Sequence, residues 1–284
     1  MRRLPAFLFA LTVLAACGDG SGEPEAPRAG ELASAEAVTE AMRERFEANQ
    51  GAVDSFVVVG GGGRAVHARN AADTTGQIPF TIDLRPLGGA QIDPDEIQLH
   101  YNLVPNVVGL ADGMAEAEFG GVVERDGRRA YVLSTGNPAA LLGGVPPPGE
   151  HELRVYVDAE TFDVVEIFRS AVTDTTKAAI TDRLLYSDFQ ETDGLVLPRT
   201  VRRVVSGVNR DLTEELKVRE MGNIALQRAQ ADRMPEGPER QATLALADRQ
   251  ERIVTEGVAE TTLTVESVVV GAGARPDASP APTP

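Results

Sequence analysis

The sequence predicts an α+β fold in which one long, curved antiparallel sheet carries helices against its apolar face. Three observations predict it. Tight turn signals join consecutive β-rich segments, which favours antiparallel pairing over parallel βαβ units. Apolar and polar residues alternate along several of those segments, so one sheet face is buried and the other wet. Two other stretches follow a helical period, one ahead of most of the strands and one late in the chain.

The N-terminus carries a separate signal. Arg2 and Arg3 precede an apolar run from Leu4 to Leu14, followed by Ala15, Ala16, Cys17 and a polar Gly18-Asp19-Gly20. A positive start, an apolar stretch of about 7–15 residues and small residues before the cut describe a secretory signal. The run is too short for a transmembrane helix, which needs about 20 apolar residues. Cys17 is the only cysteine of the chain and stands where cleavage would fall. The arrangement resembles the lipobox of bacterial lipoproteins, in which this cysteine is acylated and becomes the mature N-terminus. Residues 1–16 are thus read as a signal peptide, Cys17 as the lipidation site and 17–32 as a Gly/Pro/Ser-rich tether. Gly18 does not resemble the inner-membrane retention signal, which places Asp there, so the outer membrane facing the periplasm is the expected location.

Composition narrows the partners. Across 284 residues, 27 basic side chains face 43 acidic ones, for a net charge of −16. Loss of Arg2 and Arg3 would make it more negative still. Such a surface repels nucleic acid and anionic bilayers. Acylation of Cys17 leaves no thiol for a disulfide, and His67, His100 and His151 are too scattered to suggest a zinc site. No metal or cofactor is expected. Hydrophobic residues at 42% suffice for an ordinary core, although Trp is absent.

The elements follow in order. Ser34 can N-cap a helix to about Asn49, with Glu36 in its first turn and Val38, Met42 and Phe46 as a core-facing stripe. Ser55–Val59 reads as a strand closed by Gly60–Gly63. Phe80–Leu84 and Ile97–Tyr101 read as further strands, and 103–114, broken by Pro105 and two glycines, as a short interrupted helix. Hairpins come next: Ala117–Arg125 turns at Asp126-Gly127 into Arg129–Ser134, an Asp-Gly signal that favours a tight turn. His151–Val157 turns near Asp158–Thr161 into Val164–Ser170. Thr181–Gln190 turns at Asp193-Gly194 into Leu195–Val205, and Leu212–Arg219 follows as β-rich chain. Pro238 and Gly257 bracket a second helix, after which Leu263 and Val265 alternate with polar residues. The domain spans 33–273, and a Pro-rich tail occupies 274–284.

Nothing in this pattern organises a reaction, and no enzyme activity is expected. Gly60–Gly63 lacks the Lys-Ser/Thr of a phosphate loop and is read as a turn. No Gly-x-Ser-x-Gly elbow and no His-Glu-x-x-His helix occurs. His67 and His100 are read as structural residues in strands, and Asp158, Asp188 and Asp193 as turn or strand-end residues. The loop from Asn137 to Pro148 places Leu141 and Leu142 between glycines and prolines. Its plain reading is a turn tucking both leucines into the core; its sharper reading is an apolar tip that touches acyl chains.

The run from His151 through Asp158-Ala159-Glu160-Thr161, then Leu185-Tyr186-Ser187-Asp188-Phe189 and Asp193-Gly194-Leu195-Val196-Leu197-Pro198, is similar to the LolA/LolB-like superfamily of periplasmic lipoprotein carriers and receptors. Glu124–Leu133 resembles that family's preceding hairpin. The resemblance covers roughly residues 34–222, and an additional helix–strand segment, about 224–273, has no counterpart. It implies an unclosed half-barrel with helices against its apolar concave face, and a cavity for acyl chains of a lipoprotein or lipid. A periplasmic carrier or envelope protein would then be a partner, and the membrane is reached through the lipid anchor. A protruding leucine loop in a related acceptor adds interest to Leu141 and Leu142. Strand parity proposes Val132, Leu153, Val155, Phe168, Leu197 and Val201 as the cavity lining. The alternative is a sensor or scaffold that binds a membrane signalling or envelope protein without carrying lipid.

If Cys17 is the anchor, the Cys17→Ser chain will take up no radiolabelled palmitate and will leave the membrane fraction. Undiminished labelling of that variant would refute the assignment.

Overall fold

The computed structural model describes residues 28, 31–73, 75, 78–88, 92–125, 127–136, 149–172, 179–210 and 212–271. In chain order its elements are α1 (Ala35–Gln50), β1 (Ser55–Gly60), β2 (Gly63–Arg69), β3 (Phe80–Pro86), α2 (Pro94–Tyr101), α3 (Val107–Met114), β4 (Glu118–Arg125) and β5 (Arg128–Thr135). Then come β6 (Glu150–Asp158), β7 (Val164–Val172), β8 (Ala179–Thr192), β9 (Leu195–Ser206), α4 (Glu214–Ala231), α5 (Pro238–Glu256) and β10 (Val258–Val270). The ten strands make one sheet in the order β3-β2-β1-β10-β9-β8-β7-β6-β5-β4. Every neighbouring pair is antiparallel. β3 and β4 are its two free edges, so the sheet does not close. The expected lipidation site Cys17 and the loop leucines Leu141 and Leu142 lie outside the described residues.

Turn chemistry accounts for the meander. Gly61 and Gly62 have φ of 54° and 68° and join Gly60 to its cross-strand partner Gly63, the left-handed pair that a two-residue hairpin needs. Asp193 and Gly194, at 49° and 82°, do the same between β8 and β9. At the β6–β7 turn the Asp158 carboxylate accepts the Glu160 and Thr161 amides at 2.9 and 3.0 Å, an Asx-type closure.

Helices α1, α2 and α3 cover one face of the sheet. Val38, Met42 and Phe46 of α1, Leu99 of α2 and Leu110 and Met114 of α3 share one buried cluster with the sheet residues Phe56, Leu133, Leu153, Val155, Leu197, Val201 and Leu263. Ser34 caps α1 by accepting the Ala37 amide at 3.2 Å. Asn49 ties the other end of α1 to β9: its amide donates to the Val196 carbonyl at 2.9 Å and accepts the Val196 N–H at 2.6 Å. The Arg69 guanidinium, stacked over Phe80, donates to the Gln50 and Val53 carbonyls and closes the C-terminal end of α1.

Several sequence expectations change. Ile97–Tyr101 is helical, because Asp93 accepts the Asp95 amide as N-cap and Pro94 opens the first turn; Leu99, His100 and Leu103 then fall on one buried face. Residues from Glu214 are helical as well, with Thr213 capping through the Leu216 amide, so the expected strand at Leu212–Arg219 is replaced by α4. Val132 pairs with Tyr156 and packs with Val123 and Ala130 on the opposite face. Its run Ala130–Leu133 is apolar throughout and gives no parity signal. Phe168 also faces away from the helices, opposite Arg154. The cause is a register shift where Val157 meets Val164 but Tyr156 meets Glu166; the extra residue inverts the parity counted from Val164. That opposite face is less wet than alternation implied: Arg125 lies 4.8 Å over the Tyr156 ring and Arg154 5.3 Å over Phe168, their stems shielding apolar surface.

The C-terminal strand is no appendage. β10 lies between β1 and β9, and α4 and α5 form a helical hairpin inserted between the adjacent strands β9 and β10. Ile224, Ala247 and Val254 bind the two helices together. Gly257, at φ 72°, ends α5 in the left-handed conformation, and Asn209 donates to the Val254 carbonyl at 3.1 Å across the base. Arg249 of α5 reaches the Asp93 carboxylate of the α2 cap at 2.7 Å.

Replacing Asn49 by Ala leaves the partly buried N–H and C=O of Val196 unsatisfied, and should lower the unfolding free energy by about 1–3 kcal/mol. Chemical denaturation measures it; a loss within error would remove this contact as a determinant of α1 docking.

Candidate functional site

The turn between α2 and α3 does not seal the sheet beneath it. Leu103 and Val107 are buried on either side of Pro105, but the intervening chain stands off strands β6–β8. A cleft of about 420 Å³ results, within the range of small-ligand sites. Tyr101, Val104, Pro105 and Leu110 form its helical wall; Leu153 of β6, Ile167, Arg169 and Ala171 of β7, and Ile180, Asp182 and Tyr186 of β8 form its sheet wall. The cross-strand pairs Leu153 with Arg169, Arg169 with Asp182 and Ala171 with Ile180 put these side chains on one face. A second groove of about 510 Å³, against Ile78, Phe80 and Ile82, shares Tyr101, Val104 and Asn106 with it. The α2–α3 turn thus has open apolar space on both sides.

Asn102, His151, Glu152 and Ser170 add polar groups to the lining, and the polar groups of the cleft differ in how well they are satisfied. Asp182 is bound on both oxygens by Arg203, Nε and Nη2 each at 2.9 Å. Asn106 spends its carbonyl on the Gly109 amide as cap of α3, at 3.0 Å. Tyr186 is 4% exposed and its hydroxyl has no hydrogen-bond partner among the described residues. Burial pushes the pKa of that phenol well up, Arg169 opposing the shift and Asp182 adding to it, so the group remains a proton donor. Arg169 is exposed at the mouth and makes no ion pair or hydrogen bond among the described residues.

Of the six described residues among the eight proposed to line a ligand cavity, Leu153 alone lines this cleft. Val155, Leu197 and Val201 belong to the packed cluster beneath the helices, Val132 and Phe168 face the other side, and Leu141 and Leu142 are outside the described residues. The sequence reading missed Ile167 and Ala171, hidden by the β7 register shift, and Ile180, which precedes the expected strand start at Thr181; it used Tyr186 only within the motif of the LolA/LolB-like resemblance. A signal existed: Arg169 and Asp182 sit at positions of the apolar parity in two paired strands, where charges need a reason.

Two histidines form a second buried polar group. His67 of β2 and His100 of α2 are each 0% exposed, and none of their four ring nitrogens meets hydrogen-bond geometry. The expectation of a strand holds for His67 and fails for His100. The His67 ring stacks on Phe56 at 4.4 Å. Gly63 leaves room for the pair, since a Cβ there would lie 3.3 Å from His100 Nε2 and 3.0 Å from Ile92. Burial, with a smaller contribution from His100, pushes the His67 pKa down to about 3. Burial lowers that of His100 also, the nearby Gly60 backbone opposing it. Both rings are neutral packing elements, and among the described residues no three His, Cys, Asp or Glu side chains gather as a metal site. No described helix is long and apolar enough to cross a membrane.

No family model, curated protein or solved structure matches this chain.

The histidines give a signed pH effect. A group whose folded pKa is depressed contributes stability above its unfolded pKa, about 6.5, and loses it as pH falls towards the folded value. Between pH 6.5 and 5, where most carboxylates are still charged, His67 should lower the unfolding free energy by up to about 1.4 kcal/mol per pH unit. The His67→Phe chain, measured by urea denaturation across that window, should show a flatter profile. An unchanged slope would contradict the buried-neutral assignment.

Proposed function

We propose that this chain is a lipid-anchored envelope lipoprotein that shelters an acyl chain in the cleft between the α2–α3 turn and strands β6–β8. The observation that carries the reading is that cleft, a mainly apolar space between the helical layer and the sheet. Burying a chain there gains about 25 cal/mol per Å² of apolar surface removed from water. The open order of the sheet, with free edges at β3 and β4, is consistent with a half-barrel curling around α1–α3, the arrangement that the LolA/LolB-like resemblance implies. Movement of the short α2–α3 turn would admit and release the ligand, in sorting lipids or lipoproteins towards the outer membrane. Anchoring by Cys17 leaves the acidic domain free of any need to touch the bilayer itself.

A sensor or scaffold role is a second reading, favoured by the apolar side chains that α4 turns to solvent. Val218 and Leu226 are 72% and 71% exposed, two turns apart on one helix.

Native mass spectrometry of the purified full chain, before and after lipid extraction, separates the two. The carrier reading predicts discrete acyl adducts that extraction removes and added lipid restores. Ala171→Trp fills the cleft from a partly exposed position and should cut adduct retention by roughly tenfold, while Phe168→Ala on the opposite face should leave it unchanged. Adducts insensitive to Ala171→Trp, or no adducts at all, would sink the carrier reading.

A further inference from the structure

The cleft has an uneven distribution of polar groups that bears on what its ligand carries, an inference that rests on reading the cleft as a hydrophobic-ligand site. Buried hydroxyls normally find partners, and the Tyr186 hydroxyl has none among the described residues. It is a donor held ready in an apolar wall. The charges that act on it are those of Arg169 and Asp182, which face each other across β7 and β8. Asp182 is neutralised on both oxygens by Arg203. Glu152, at the rim, is paired with Arg154 at 2.6 Å. Among the described residues that line the cleft, Arg169 alone of the charged groups makes no ion pair. In a chain of net charge −16, the uncompensated charge among the described lining residues is positive.

We propose that the cleft takes a single-chain amphiphile with a carboxylate head, the head group pairing with Arg169 and accepting a hydrogen bond from Tyr186 while the chain lies along Val104, Leu110 and Ile167. The carboxylate supplies the two things the free site lacks: an anion for Arg169 and an acceptor for the phenol. Charge-assisted bonds of this kind are about twice as strong as neutral ones. A cationic head would meet an unpaired guanidinium and a donor with nothing to donate to. A neutral alcohol would satisfy the phenol alone.

The test is calorimetric titration of the full chain with laurate, dodecanol and dodecyltrimethylammonium, each kept below its micelle concentration. Laurate should bind about tenfold tighter than dodecanol, and the ammonium ion weaker than either. Arg169→Gln, at an exposed position, should bring the affinities for laurate and dodecanol to within about twofold of each other. Tyr186→Phe should weaken laurate by several-fold, yet leave the melting temperature of the free chain equal or higher, because it deletes a hydroxyl that has no partner. Equal binding of all three probes, insensitive to both variants, would overturn the head-group assignment and leave the cleft as a hydrophobic site. Failure of all three to bind would overturn the hydrophobic-ligand reading itself.

Discussion

The position of β10 is the constraint on which the remainder of the structure depends. β1, β2 and β3 form a meander at the start of the chain, and β4 to β9 a longer one after it. Among the described residues no pairing joins these two blocks except through β10, which bonds to β1 on one side and β9 on the other. The last strand must therefore be in place before one sheet exists. Its apolar residues Leu263 and Val265 enter the same cluster as α1–α3, and Gly60 backs onto it so closely that a Cβ there would lie 2.3 Å from the Thr264 carbonyl. Pairing across such a sequence separation is slow to form and is rewarded only late in folding.

The cleft follows from that arrangement. α2 packs beside β10 and β3 and is held from behind by Arg249 on the Asp93 cap. α3 packs against α1 and β5. The turn between them spans from one anchored helix to the other and passes over β6–β8 without filling the space. The Asn49 clasp on β9 and the Arg45–Asp163 pair, at 3.0 Å, hold α1 to the sheet. The inserted helical hairpin acts on this geometry from a distance, through Arg249, and not through any contact with the cleft.

Much of the fold was legible because local chemistry and tertiary demand agree. Ser34, Asp193-Gly194 and the Val38/Met42/Phe46 stripe each specify their element without outside help. Ile97–Tyr101 misled because Ile97, Leu99 and Tyr101 alternate, yet Asp93-Pro94 already marked a helix start, and Thr213 with Glu214 and Glu215 marked the other. Those are conflicts between a period and a cap, and the caps prevailed. The site was less legible for a different reason. Phe168 and Ile167 exchange faces through one extra residue in β7, and a bulge leaves no signature in the hydrophobic pattern of its own strand. Nor could sequence separate Leu153, which lines the cleft, from Val155, which is packed beneath a helix; that depends on where the α2–α3 turn passes.

An acidic protein that holds an uncompensated arginine at an apolar cleft has arranged its charges for selectivity over attraction. The field of the whole chain disfavours anions at long range, so an anionic ligand would be retained by short contacts and burial. The account is tested most directly by the crystal structure of the chain with ω-bromolaurate, using the anomalous signal of bromine. The account predicts a bromine peak inside the cleft, between the α2–α3 turn and Ile167, with the carboxylate at Arg169. Bromine bound elsewhere on the protein, with the cleft vacant or closed by its own side chains, would contradict it.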